Sequence, residues 1–314
     1  MIFTQLKKMV LRKYMLGTAI ALFSFASCSD NNGQKDTRDT PNSGVINVSV
    51  DESFKPVIDS QIKVFESQFP NAKINVSYKA EADCLRDLNN DSVRMVIVTR
   101  GLSDQEQAIL QDSLSYTPSF GPMAYDAIAV VVNNKSRDSI FTMQDLRSMV
   151  KGTSSYKYKV LLDGLSATST VRFVQDSLLK GEAMSKNVVA AKNSTELIDY
   201  ISQNDDAIGL IGVSWVGNHQ DPEMLSFLKN VRIAAVECRG CSGTYVLPYQ
   251  ANIAMGRYPM IRPLYYILKE NFSGLGSGFK NFLIYEKGQL IFRRAFLLPA
   301  RMKFEVRDMN ISEE

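Results

Sequence analysis

The stretch Leu161-Leu-Asp-Gly-Leu-Ser-Ala-Thr-Ser-Thr-Val-Arg-Phe173 decides how this chain is read. A short apolar run passes through a turn into a cluster of hydroxyls. Val171, Val174 and Leu178 then recur at helical spacing, Asp176 and Lys180 form an i,i+4 pair, and Gly181 closes the pattern. The spacing therefore predicts a helix whose N-terminus carries Thr168, Ser169 and Thr170. Such a position suits an anion, because free backbone N–H groups and the helix dipole favour negative charge and hydroxyls add donors without charge. The same residues also suit plain helix capping.

Upstream, the pattern is strand and helix in alternation. Residues 46–50 alternate as a strand and lead through Asp51-Glu-Ser-Phe54 into a helix, whose stripe of Ile58, Ile62, Phe65 and Phe69 falls at i, i+4, i+7 and i+11. Pro56 is tolerated there because it lies in the first turn, so Ser53 marks a second helix start. Ile74, Val76 and Tyr78 form another strand, residues 81–88 a short helix, and residues 93–98 a nearly continuous apolar strand ending at Thr99-Arg100. This order predicts α/β layers in which mainly parallel sheets are covered on both faces and ligands gather at the carboxyl ends of strands.

Downstream, a helix over 104–114 precedes a buried strand over 127–132, and Thr142 caps a helix ending before Gly152. Residues 188–191 read as a strand, Ser194 caps a helix through Ile201, and residues 207–213 and 231–236 are further strands. Gly209 and Gly212 suggest close backbone approach. Beyond Pro248 the pattern reads as helical: Tyr265, Leu268 and Phe272 in one helix, Phe279, Phe282 and Leu283 in the next, residues 290–296 in a third.

At 314 residues and 45% apolar content the chain can bury a large core, and two lobes are expected. Its formal charge is +3, but Lys7, Lys8, Arg12 and Lys13 fall in a leading segment without acidic residues; subtracting those four leaves −1 over residues 28–314. That balance gives no support to nucleic-acid binding. The leading segment reads as an export signal over 1–27: a basic start, an apolar run over 14–26 short for a membrane span, then Phe25-Ala-Ser-Cys28. A cysteine at that position resembles a bacterial lipobox, which would make Cys28 the lipidated first residue; an ordinary signal with an incidental cysteine is the alternative. Residues 28–44, rich in Asn, Asp, Gly, Pro and Thr, read as a flexible tether.

Cys238-Arg-Gly-Cys241 has redox or metal spacing, yet a zinc site needs about four ligands and His219 is the sole histidine of the chain. In an exported protein a local disulfide between Cys238 and Cys241 is favoured over free thiols, and Cys84 reads as buried and inert. His219 lies in the polar loop Asn218-His-Gln-Asp-Pro222 with no nucleophile motif beside it, so the reading is a non-enzyme without metal or cofactor.

The order of motifs resembles the phosphate-binding proteins of bacterial ABC importers, a branch of the type II periplasmic binding proteins. The resemblance rests on Ser53-Phe54, on Val98-Thr-Arg-Gly-Leu-Ser103, and on the strand over 128–133. It rests further on the helix over 143–152, on Thr168-Ser-Thr170 in the place of a phosphate-cradling Ser-Gly-Thr, and on Ala207-Ile-Gly-Leu210. Tyr258-Pro-Met-Ile-Arg-Pro-Leu-Tyr265, residues 279–289 and Leu297-Leu-Pro299 complete it.

It implies a two-lobe periplasmic-binding-protein type II fold, with lobe 1 over 45–124 and 247–314, lobe 2 over 125–246, and crossovers near 122–126 and 244–250. It further implies that phosphate or a similar oxyanion is held between the lobes by Ser53, Phe54, Thr99, Arg100, Thr168, Ser169, Thr170 and Arg172. The implied partners are the importer's transmembrane subunits, and the implied location is the periplasmic side of the envelope, with Cys28 anchored in a membrane. This chain departs from the pattern in three places. Ser169 replaces a glycine, Arg100 replaces a proton-accepting aspartate found in part of the family, and Arg172 lies a turn after the usual arginine. Glu52, Asp126 and Asp163 are the candidate replacements for the proton acceptor. An envelope lipoprotein of this fold, acting as sensor or scaffold with altered ligand binding, is the alternative reading.

Overall fold

The computed structural model describes residues 39–164, 168–217 and 222–302. The expected signal segment, Cys28, most of the tether, His219 and the last residues of the expected first lobe lie outside them.

Strand β1 (Gly44–Asp51) feeds a 3-10 turn (Glu52–Phe54) and helix α1 (Lys55–Gln68), which buries Val57, Ile58, Ile62 and Phe65. The chain returns through β2 (Ala72–Lys79), α2 (Glu81–Arg86), β3 (Val93–Val98) and α3 (Asp104–Leu114) to the long β4 (Ser119–Asn133). Then follow β5 (Ile140–Phe141), α4 (Met143–Lys151), β6 (Lys159–Asp163), α5 (Ser169–Phe173), β7 (Val188–Ala191), α6 (Ser194–Gln203) and β8 (Ala207–Gly212). Last come α7 (Pro222–Phe227), β9 (Val231–Glu237), β10 (Tyr245–Val246), α8 (Gln250–Ala254), β11 (Ile261–Leu268), α9 (Leu275–Ile284), α10 (Glu286–Arg294) and β12 (Leu298–Pro299).

Two sheets share β4. In the first, β1 lies parallel between β2 and β3, and β11 runs antiparallel between β3 and β4. In the second, the far half of β4 pairs antiparallel with β8 and β9, and β6 lies parallel between β8 and β7. The crossover expected near 122–126 is therefore no loop: those residues sit inside β4, whose backbone serves β11 on one side and β8 on the other.

Helix α1 covers the first sheet through Phe65, whose ring meets Phe69, Phe279 and Phe282 edge-on at 5.0–5.3 Å between centroids. Helix α4 begins with a reciprocal capping box between Thr142 and Asp145 and ends at Gly152 in the left-handed region (φ 72°).

Three expectations need correction. The described end of the expected tether is held to the fold, Asp39 pairing with Arg94 and accepting from the Leu275 amide, and Gly44 opening β1. The helix read through Tyr265, Leu268 and Phe272 is strand β11 over most of its length: Arg262, Leu264 and Tyr266 point to one buried side, and neighbours on both edges satisfy the backbone. Apolar residues on both faces of a central strand imitate helical spacing when no polar alternation marks the pleat. Helix α6 is capped by Asn193, whose side chain accepts from the Glu196 amide, one residue ahead of the expected Ser194.

Candidate functional site

The carboxyl end of β1 delivers Asp51, fully buried, to the seam between the two sheets. Its Oδ1 accepts from the Ser53 amide at 3.1 Å, an ordinary cap of the following 3-10 turn. Its Oδ2 accepts from the Ser169 amide at 3.2 Å, across 118 residues of sequence. The two helix starts expected at Ser53 and at residues 168–170 thus face one another, and a carboxylate sits between them.

Strand β6 ends in Asp163, and Gly164 then turns at φ +87°, where a Cβ would run into Thr168 and Glu52. Thr168 Oγ1 accepts from the Val171 amide and donates to the Asp163 carbonyl at 2.9 Å, so this residue does cap its helix. Ser53 Oγ donates to Asp163 Oδ2 at 3.1 Å, and the Ser53 carbonyl accepts from the Trp215 indole at 2.9 Å. Among the described residues no group donates to Asp163 Oδ1 within hydrogen-bond distance, although the Thr170 hydroxyl faces this carboxyl group.

Because 261–268 is a strand, Arg262 points into this cluster with 3% exposure. Its Nη1 donates to Ser169 Oγ at 2.7 Å and to Thr170 Oγ1 at 2.9 Å, and its Nε donates to Asp126 Oδ2 at 2.9 Å. The guanidinium lies 4.9 Å from the centre of the buried Phe54 ring. Gly212 makes room for it: a Cβ there would come within 2.9 Å of Arg262 Nη2, which is the close approach the strand glycine implied.

Arg172 leaves its helix to join a second group. Its Nε donates to Glu81 Oε2 at 2.6 Å and its Nη2 to Thr99 Oγ1 at 2.6 Å, while the Thr99 amide and hydroxyl both donate to Glu81 Oε1. Of the expected ligand residues, Ser53, Phe54, Thr99, Thr168, Ser169, Thr170 and Arg172 are gathered along one seam. Arg100 turns its guanidinium to a different carboxylate, although its charge still reaches Glu81. Glu106, held at the start of α3 by its capping box with Ser103, takes both Arg100 Nη atoms at 2.7 Å.

Electrostatics in the seam are unusual for an anion site. Asp51, Asp126, Asp163 and Glu81 are buried here, and among the described residues the guanidinium groups of Arg262 and Arg172 pair with two of them directly. Burial pushes Asp163 up to about 7, with Arg262 opposing. Burial likewise raises Asp51 and Asp126, again against the attraction of Arg262. Glu81 is also penalised by burial, but the bonds and charge of Arg172 outweigh this and hold it below the usual range.

The sequence profile of the PBP superfamily domain matches residues 35–287. The chain belongs to the PBP superfamily. Among curated members, protein SphX of Synechococcus elongatus is 20% identical over 266 residues, covering 78% of this chain and 75% of that protein. The phosphate-binding protein PstS of Pseudomonas aeruginosa is 22% identical over 222 residues, covering 64% of this chain and 65% of PstS, just under two thirds of its length. A phosphate-bound structure from Clostridium perfringens, assigned to the phosphate ABC transporter substrate-binding proteins, superposes with a TM-score of 0.66 at 19% identity. It covers 82% of this chain and all of that one. At that identity the superposition speaks for the fold, two curled α/β sheets with a seam between them.

Within that superfamily fold, the residues missed from sequence are Asp51, Glu81 and Arg262. Arg262 stands in the Tyr258–Tyr265 motif next to Pro263, and a strand reading there would have aimed it inward. Asp51 stood in the sequence only as part of the passage from strand to helix. Cys238 and Cys241 are joined in a disulfide, and Cys84 is buried with its thiol raised by burial. Among the described residues no group of three or more His, Cys, Asp or Glu side chains is placed to hold a metal.

Proposed function

We propose that this chain is the extracytoplasmic substrate-binding component of an ABC importer and that it captures a small tetrahedral oxyanion, phosphate first, between its two lobes. The single observation that carries the reading is the pair of amides, Ser53 on the β1 side and Ser169 on the β6 side, that donate to the two oxygens of one carboxylate. Donors that converge so on COO⁻ can hold an oxyanion, and the hydroxyls of Thr170 and Ser53 with the Arg262 guanidinium complete the donor set. The lobes are assigned as 45–124 with 247–314 and 125–246, moving about β4 and the segment near 244–250. Closure excludes water, which strengthens each bond to the anion.

Asp163, faced by the hydroxyls of Ser53 and Thr170, is the carboxylate assigned to accept the proton of hydrogen phosphate. The phosphate-binding name of PstS and the bound phosphate of the C. perfringens structure support phosphate over other oxyanions. Cys28 is assigned as the lipid anchor on the outer side of a membrane, from which the closed lobes dock on transmembrane subunits. Calorimetric titration with phosphate and then sulfate tests the reading. Phosphate binding that weakens at least about a hundredfold in the Ser53→Ala, Thr170→Ala double variant is expected, each of the two lost charge-assisted bonds being worth about 1.5–3 kcal/mol. Absence of binding by both anions sends the protein to the sensor or scaffold class.

A further inference from the structure

Asp51 does something that capping does not require. A cap of the 3-10 turn needs only Oδ1 and the Ser53 amide; Oδ2 reaches the other sheet and takes the Ser169 amide. The carboxylate thereby occupies the place, and uses both amide donors, that the oxyanion reading gives to the ligand. One further donor is open to an incoming anion: Arg262 Nη1 serves two neutral hydroxyls, those of Ser169 and Thr170, rather than a carboxylate.

We propose that Asp51 is an internal competitor of the ligand: its carboxylate bridges the two lobes on the ligand's own amide donors, so that an oxyanion enters by displacing it and binds more tightly once Asp51 is neutral. This rests on the oxyanion reading above and adds to it a residue that sets affinity and its dependence on pH.

The charges around Asp51 support the direction. Glu52 follows it in the chain, Glu81 and Cys84 face it from α2, Asp163 from β6, and Asp126 from β4 through their common partner Arg262 on β11. Lys79, its partner in the β1–β2 register, is turned to Asp87. Burial raises Asp51 and Glu81 adds to the rise, against Arg262. A dianion brought into this company meets repulsion that falls as carboxylates take up protons. Acidification therefore favours entry, and the order of events is proton uptake, release of the Ser169 amide, and capture of the anion by that amide.

The test is calorimetric titration of the full chain with sulfate, whose charge stays constant where carboxylates titrate, and in parallel with inorganic phosphate. Wild type, Asp51→Asn and Asp51→Ser are compared at about pH 8 and about pH 5. Circular dichroism first establishes that each variant is folded. At the higher pH both variants bind at least about tenfold more tightly than wild type, the equivalent of one pKa unit of repulsion removed. At the lower pH the ratio shrinks, because burial favours proton uptake by wild-type Asp51 as the pH falls. Variants that bind where wild type gives no heat support the proposal equally. Wild type that binds as tightly as, or more tightly than, both variants at about pH 8 overturns it, leaves the oxyanion reading standing and returns Asp51 to the role of a turn cap. If neither anion binds to any of the three proteins at either pH, the oxyanion reading falls and this inference falls with it.

Discussion

Replacing Arg262 by Met probes the seam most severely. Methionine keeps much of the length and apolar contact with Phe54 but removes the bonds to Asp126, Ser169 and Thr170. It strands Asp51, Asp126 and Asp163, at most 1% exposed, without the guanidinium that opposes their burial. Removing one member of a buried ion pair costs about 3–5 kcal/mol when the other stays charged. These carboxylates can escape part of that by protonating, since burial already raises all three, so the cost is greatest at high pH. Denaturant unfolding is expected to show Arg262→Met destabilised by about 3–5 kcal/mol near pH 8 and by visibly less near pH 5. Adding Asp126→Asn should recover more than about 1 kcal/mol at the higher pH, a coupling that a double-mutant cycle isolates. A variant that unfolds at the wild-type denaturant concentration at both pH values would refute the reasoning, because the carboxylates would then be stabilised by something other than Arg262.

Asp163 titrates near 7 in the fold, above the ordinary carboxylate value of 3.8, so the unfolded chain binds fewer protons between those values and stability must fall as pH rises through that window. Asp163→Asn should flatten that part of the pH profile of unfolding; an unchanged slope counts against the shift. Glu106 is drawn down to about 2, chiefly by its bonds to Arg100 against the penalty of burial. Its contribution is present above its ordinary value of 4.5 and is lost as pH falls towards 2, and with both side chains a third exposed it is worth no more than about 1 kcal/mol. Because both Nη atoms of Arg100 are taken by Glu106, Arg100→Ala should leave phosphate affinity within about twofold of wild type, and a larger loss would place it back among the ligand residues. Phe65→Ala, at the centre of the aromatic cluster, should cost about 3–5 kcal/mol in the same unfolding assay. Cys28→Ser should move the protein from the membrane fraction to the soluble one, and retention at the membrane would remove the lipid anchor from the account.

Much of the fold could be read from alternating strands and helix stripes, because local pattern and tertiary burial agree at β1, α1, β3 and α4. They part company at 261–268. There Ile261, Leu264, Tyr265 and Leu268 satisfy helical spacing, and only the free edges of β3 and β4 make the segment a strand. That misreading hid Arg262, whose direction depends on the pleat. The continuous β4 was hidden for a related reason: Gly121 and Pro122 look like a turn in sequence but lie in a strand paired to β11. The candidate site was legible where one residue announces a helix start, at Ser53 and Thr168. It was not legible where function depends on two segments meeting. No local pattern says that the Asp51 carboxylate will reach the Ser169 amide, or that Glu81 rather than solvent will receive Arg172.

The most direct measurement of the central claim is a crystal structure of the protein grown with saturating phosphate. The account predicts a tetrahedral ion within hydrogen-bond distance of the Ser53 and Ser169 amides and the Thr170 hydroxyl, with the Asp51 carboxylate moved off Ser169. Phosphate found elsewhere, or a seam still closed on Asp51 with no ion between those amides, would contradict it.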